Sequence, residues 1–209
     1  MLKKIYLGPL GLLISIVMNA YSRLIRPYMV YGYFDFKKFK YLKYTRISSS
    51  ATIIGKKNLT ISNHCWVWHH SIIDASHGVE IGEGTQIGAF VGIFTHSSHI
   101  AIRLYGRAFI NYDSEERLGY VRNKVIIGKY TFVGAGALIL PGATIGDGCV
   151  VAAGAVVKGN IPDYSIVIGN PGKIVGMVDR LDSTFISEPV VQKNYFDKDL
   201  LNKISRSDE

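Results

Sequence analysis

Cysteine is nearly absent: Cys65 and Cys149 are the only two in 209 residues. That count excludes a disulfide-stapled secreted scaffold and favours a reducing compartment. Proline is sparse at six residues while glycine reaches 22, the balance that tight, repeated corners need. Residues 5–22 carry no charge, yet the run is borderline in length for a membrane span. A cleavable leader fits poorly too, because Met18 stands where a cleavage site near Ala20 would want a small residue. Acidic residues are almost missing from the first 46 positions. Nine Lys and Arg (Lys3, Lys4, Arg23, Arg26, Lys37, Lys38, Lys40, Lys43 and Arg46) face Asp35 alone there, and the other 15 basic and 15 acidic residues cancel. The whole net charge of +8 therefore belongs to this segment. No nucleic-acid motif accompanies it, so no nucleic-acid partner is expected.

What the chain does have is a period of six. Ile127, Val133, Ile139, Ile145, Val151 and Val157 recur at that spacing. The following residue is mostly small (Gly128, Gly134, Gly146, Ala152), and the slot four after each aliphatic holds Thr131, Ala137, Ala143, Cys149, Ala155 and Ile161. Six fits neither an amphipathic helix nor an alternating strand. It is the signature of a parallel β-helix, in which one repeat cannot bury its own apolar face but a stack can. A weaker copy runs through Ile61, Val67, Ile73 and Val79, slips by two, and continues through Ile81, Ile87 and Ile93. The interruption after it covers about 94–124. Cys65 and Cys149 both occupy the compact slot, which makes them packing residues.

Ahead of the repeats, a helix is predicted from near Pro9 to just before Pro27. Leu10, Leu13, Ile14, Val17, Tyr21, Leu24, Ile25 and Tyr28 share one face; Ser15, Asn19, Ser22 and Arg26 lie opposite. With the aromatic, Lys-rich stretch behind it, this reads as an amphipathic helix on an anionic lipid surface. Packing on the solenoid end or in an oligomer interface is the alternative.

The stretches V-G-A-G-A-L-I-L-P-G-A-T-I-G-D-G (133–148), V-V-A-A-G-A-V-V-K-G-N-I-P (150–162) and G-N-P-G-K (169–173) carry a resemblance. Over roughly 50–176 the chain resembles the hexapeptide-repeat acyltransferases, close to the sugar and xenobiotic O-acetyltransferases. Gly172 stands where that family usually has Ala. The resemblance implies an all-β, left-handed parallel β-helix with three flat faces and eighteen residues per coil. It also implies homotrimers with active sites between subunits. On this reading 1–46 is an N-terminal helical appendage and 47–176 the acyltransferase β-helix, with an excursion loop at about 97–124. Residues 177–209 form a short C-terminal helical tail.

Acetyl transfer to an alcohol needs a base for the hydroxyl proton, and histidine suits that task. The family places its catalytic histidine where the solenoid gives way to the excursion, which here is I-F-T-H-S-S-H (93–99), so His96 and His99 both qualify. His96 lies nearer the rigid repeats. For the donor, eighteen-residue coils put Gly134, Ala135 and Gly136 under Ala152 and Ala153, two nearly bare patches that a pantetheine arm could approach. In the family this region lines acetyl-CoA; Lys173 matches the lysine that meets CoA phosphate, and Lys158 adds charge. Trp66, Trp68 and His69 form an aromatic run suited to a sugar ring, and Arg103, Tyr105 and Asp113 of the excursion could shape the acceptor site. Asp113, Glu115 and Glu116 are possible carboxylate partners for the histidine. His64 and His69 bring to mind the related γ-type carbonic anhydrases, but their order relative to His96 does not match, and no metal is expected.

The sequence thus points to a cytoplasmic, homotrimeric O-acetyltransferase that uses acetyl-CoA, with possible peripheral contact at the inner leaflet of the cytoplasmic membrane. Its acceptor would be a carbohydrate hydroxyl of a surface polysaccharide, a glycolipid or a precursor. The alternatives are N-acetylation of an amino-sugar nucleotide and a non-catalytic solenoid scaffold.

Overall fold

One inward aliphatic per short strand lets successive strands stack by parallel hydrogen bonding, each coil covering the apolar edge of the last. The computed structural model describes residues 10–24, 26–35 and 38–207 and shows three faces built this way. The first face stacks Trp66–Val67, Gln86–Ile87, Phe132–Val133, Val150–Val151 and Ser165–Ile168. The second stacks Thr52–Ile54, Ile72–Asp74, Gly92–Ile93, Leu138–Ile139 and Val156–Val157. The third stacks Leu59–Ile61, Val79–Ile81, Val125–Ile127, Thr144–Ile145 and Asn160–Ile161. The chain visits them in that order, coil after coil. In the regular region Val133 pairs with Val151 and Ile139 with Val157, eighteen residues on.

Coil length is not constant, and the reason is local. Val67 pairs with Ile87 and Ile73 with Ile93, twenty residues apart. The extra two residues sit on the third face, where Leu59 and Ile61, and again Val79 and Ile81, are all buried in three-residue strands. That is the physical content of the phase slip. At the other end Ile145 pairs with Ile161, only sixteen residues on. Ile161 is therefore an inward strand residue and not the compact slot of the Val157 hexad, which corrects the sixth repeat.

The compact slot explains both cysteines. Thr45, Cys65, Thr85, Thr131 and Cys149 form one buried column at the corner leading into the first face. Each donates to a carbonyl further along the stack: Thr85 Oγ1 to Gly128 O at 2.6 Å, Thr131 Oγ1 to Gly146 O at 2.8 Å, Cys65 Sγ to Gly82 O at 3.0 Å and Cys149 Sγ to Pro162 O at 3.1 Å. A buried donor without such a partner costs about 1–3 kcal/mol. Burial pushes the Cys65 thiol up to about 12 and raises that of Cys149. Both thiols should thus ignore thiol reagents at neutral pH and label only on unfolding; labelling of the native protein at a free-thiol rate would contradict the assignment.

The N-terminal segment departs from expectation. Helix α1 (Gly11–Leu24) is present, but the aromatic, basic stretch behind it is a hairpin of β1 (Met29–Asp35) and β2 (Lys40–Ser48). The end of β2 pairs with Trp66–Val67, so the hairpin runs into the first coil across the expected boundary at residue 46. Leu42 and Thr45 point inward, and Tyr41 and Tyr44 beside them stay outside. The ends of the predicted helix at Pro9 and Ile25 lie outside the described residues. The tail is helical as expected (Asp179–Asp182, Pro189–Asn194, Lys198–Ser207), with its own small cluster of Ile186, Leu201 and Ile204. A strand, Lys173–Met177, precedes it and closes the first face antiparallel to Ser165–Ile168.

Candidate active site

The excursion leaves the coil between the second and third faces. Its base is a two-residue ribbon, His96–Ser97 against Val121–Arg122. Within it lie α2 (Ala101–Tyr105) and two short 3₁₀ turns. His96 thus stands on a paired strand at the mouth of the loop. Its Nδ1 is 2.7 Å from Asp74 Oδ2, a carboxylate whose side chain is only 3% exposed, against 36% for the histidine. The two groups are in close contact, with the oxygen off the line of a ring N–H. The other Asp74 oxygen accepts from Ser76 N at 3.0 Å, which fixes the carboxylate.

The imidazole is held on its faces as well. Tyr120 stacks on it at 5.7 Å and 10°, and Arg122 lies 4.5 Å over the far ring. His77 meets it edge-on at 5.8 Å, with a buried Nδ1 that has no hydrogen-bond partner among the described residues. His99 is held differently: it is exposed, with Nδ1 2.8 Å from Ser97 Oγ. Both histidines line a cleft of about 380 Å³ with Phe94, Leu140, Pro141 and Lys158.

None of the expected carboxylate partners reaches His96. Glu115 lies 3.6 Å from Arg122 Nε, and Asp113 and Glu116 join through the main chain in a 3₁₀ turn. Asp74 takes the place instead, twenty-two residues before the histidine. The one sequence signal for it was an acid in the small slot directly after an inward aliphatic, Ile73.

The bare corner is on the opposite edge of the second face. There Ala135 and Gly136, and one coil on Ala153 and Gly154, are exposed. Gly134 is a packing glycine: a Cβ on it would lie 2.5 Å from Ala153 N. Gly136 is not, since a Cβ there would meet nothing within 4 Å; its φ of +70° is what asks for glycine. The amides of Gly136 and Gly154 are taken by Ala89 O and Ala135 O, whereas no main-chain partner is found among the described residues for those of Ala135 and Ala153. Ala152 is half-buried. Gly172 N donates to Val156 O, which seats the G-N-P-G turn on this edge and puts exposed Lys173 at its end. Lys158 is not part of this group; it sits across the face in the histidine cleft.

The tryptophans lie on the first face, 5.0 Å apart, lining a recess of about 350 Å³ that includes Ala89, Phe132 and Ala135. It borders the bare corner. His69 is turned to the Ser48 hydroxyl at 2.6 Å. The hydroxyl of Tyr105 accepts from Leu118 N and donates to Glu116 O, so it braces the loop internally; Arg103 holds His99 O, and Asp113 is exposed.

Comparison with known proteins follows the same lines. Residues 124–159 match the family model for the bacterial transferase hexapeptide (six repeats). A probable acetyltransferase of Mycobacterium tuberculosis is 49% identical over 57 residues, 27% of this chain and 19% of that protein. A candidate acetyltransferase of Saccharomyces cerevisiae is 33% identical over 129 residues, 61% of this chain and 60% of that one. The chain therefore spans less than two thirds of these relatives. Among solved structures, a hexapeptide-repeat acetyltransferase of Vibrio cholerae complexed with acetyl-coenzyme A aligns with a TM-score of 0.53 at 22% identity, covering 61% of this chain and 64% of that one. A maltose O-acetyltransferase of Clostridium difficile aligns at 0.52 and 25%, covering 62% and 64%. The fold and the repeat define a hexapeptide-repeat protein. Its similarity lies with the hexapeptide-repeat acetyltransferases, the family that the sequence motifs indicate.

Proposed function

We propose that this protein is an O-acetyltransferase that moves an acetyl group from acetyl-CoA to a carbohydrate hydroxyl, on a left-handed coil. The observation that carries the reading is the His96–Asp74 pair at the mouth of the excursion, with the bare corner that ends in Lys173 on the opposite edge of the same face. The buried carboxylate at Nδ1 selects the tautomer that leaves Nε2 as acceptor. In the reaction, Nε2 takes the proton from the acceptor hydroxyl as its oxygen attacks the thioester carbonyl. The tetrahedral intermediate collapses, the C–S bond breaks, and the leaving CoA sulfur receives that proton from the imidazolium. The amides of Ala135 and Ala153 would hold the pantetheine arm, and Lys173 the CoA phosphate. Lys173→Ala should then weaken CoA far more than dephospho-CoA; equal losses for both would remove the lysine from the phosphate site.

His96 and the bare corner lie on opposite edges of the second face. One chain does not bring them together, which favours a site shared between two copies in a trimer. The Trp66–Trp68 recess, next to the corner, is then placed to receive the acceptor. Mixed assembly tests this: His96→Asn and Ala153→Trp chains, each inactive alone, should regain activity when refolded together. No recovery in mixed oligomers would mean that each site is built from one chain.

A further inference from the structure

Along helix α1 most of the residues described are exposed, with Gly11 buried and Ile14 and Ser15 half-buried. Leu10, Leu13 and Val17, on the stripe expected to be buried, are 63%, 60% and 57% exposed; Leu12 and Ile16, off that stripe, are 73% and 57%. Exposed apolar side chains that reach beyond one stripe widen the face that needs an apolar environment. At 14 residues it is about 21 Å long, short of the roughly 30 Å hydrocarbon core, and no helix among the described residues is long and apolar enough to cross a membrane. The hairpin that follows repeats the pattern. Tyr31, Phe39, Tyr41 and Tyr44 are 68%, 83%, 60% and 53% exposed, with Phe39 in the turn at a φ of 49°. Lys38, Lys40 and Lys43 stand exposed among them. The single acid of the segment, Asp35, is buried and accepts from Lys38 N, so little negative charge offsets the lysines at the surface.

Apolar and aromatic side chains interleaved with charge of one sign fit an anionic lipid surface. A second copy fits poorly, since it would set the same basic segment against itself. We propose that α1 and the β1–β2 hairpin form one docking surface for an anionic bilayer. Helix α1 lies among the headgroups, Phe39 and Tyr41 enter the interface, and Lys38, Lys40 and Lys43 meet lipid phosphate. This needs no acetyl transfer, and its test is read without acetyl-CoA, so it stands or falls separately from the proposed activity.

The test is co-sedimentation of the full chain with vesicles of phosphatidylcholine alone and of phosphatidylcholine with phosphatidylglycerol. Binding should require phosphatidylglycerol and fall as salt rises. Lys38→Glu, Lys40→Glu and Lys43→Glu should each weaken it by about fivefold or more. Phe39→Ser with Tyr41→Ser should weaken it by at least about tenfold. As a check independent of these losses, the indole of a Phe39→Trp chain should be quenched by brominated lipid beyond the wild-type signal. Four results would overturn the proposal: equal binding to both vesicle types, variants that bind like wild type, an unquenched Trp at position 39 in bound protein, or variants that change oligomeric state and leave lipid binding intact.

Discussion

His96→Asn is expected to lower kcat by about 10²–10⁴-fold, the range of a general base, while CoA binding stays near wild type. Asparagine keeps much of the shape against Tyr120 and Asp74 but cannot take a proton. The same geometry separates the two histidines. His96 is fixed by a buried carboxylate on a paired strand; His99 is exposed, its ring held by the Ser97 hydroxyl. His99→Ala should therefore cost far less than His96→Asn. Asp74→Asn should lower kcat by about 10²-fold with little change in KM, because it loosens the tautomer and not the binding surface. Steady-state kinetics of the three variants checks this; a His96→Asn enzyme with near-normal turnover removes the base from the mechanism.

Ala153→Trp is expected to abolish CoA binding without disturbing the coil. The Ala153 side chain is exposed, so an indole there meets solvent in the free protein and the pantetheine path in the complex. With CoA at about 100 times its Kd, the wild-type chain should gain about 2.7 kcal/mol. For a domain of this size that is a rise of roughly 5–10 °C in Tm. The variant should show no rise and an unchanged β spectrum. Gly134→Val should behave differently, because its Cβ would strike Ala153 N at 2.5 Å and the fold itself should weaken. Thermal unfolding with and without CoA separates the two; equal protection of wild type and Ala153→Trp would move the donor site elsewhere.

The six-residue period made the three-faced coil legible because an inward Ile or Val ends each strand from Val125–Ile127 to Val156–Val157. It misled where a strand buries two aliphatics, as at Val79 and Ile81, and where the last turn tightens at Ile161. The hairpin was hidden because Tyr31, Tyr41 and Tyr44 stay outside among the lysines, which blurs the alternation that marks a half-buried strand. His96 could be placed because a long interruption begins beside it. Asp74 could not, since stacking, not sequence proximity, brings it to the ring. Lys158 sits near the small patches in sequence, yet the strand Val156–Val157 carries it across to the opposite edge of the face. Local spacing shows which residues share a corner; which corner faces which chemistry depends on how the coils close.

The most direct test of acetyl transfer with His96 as base is mass spectrometry of a panel of mono- and oligosaccharides incubated with acetyl-CoA and either wild-type or His96→Asn protein. The account predicts a base-labile acetyl ester on a sugar hydroxyl with wild type, matched by CoA release, and almost none with the variant. Ester formed equally by both proteins, or acetyl-CoA neither bound nor consumed by wild type, would contradict it.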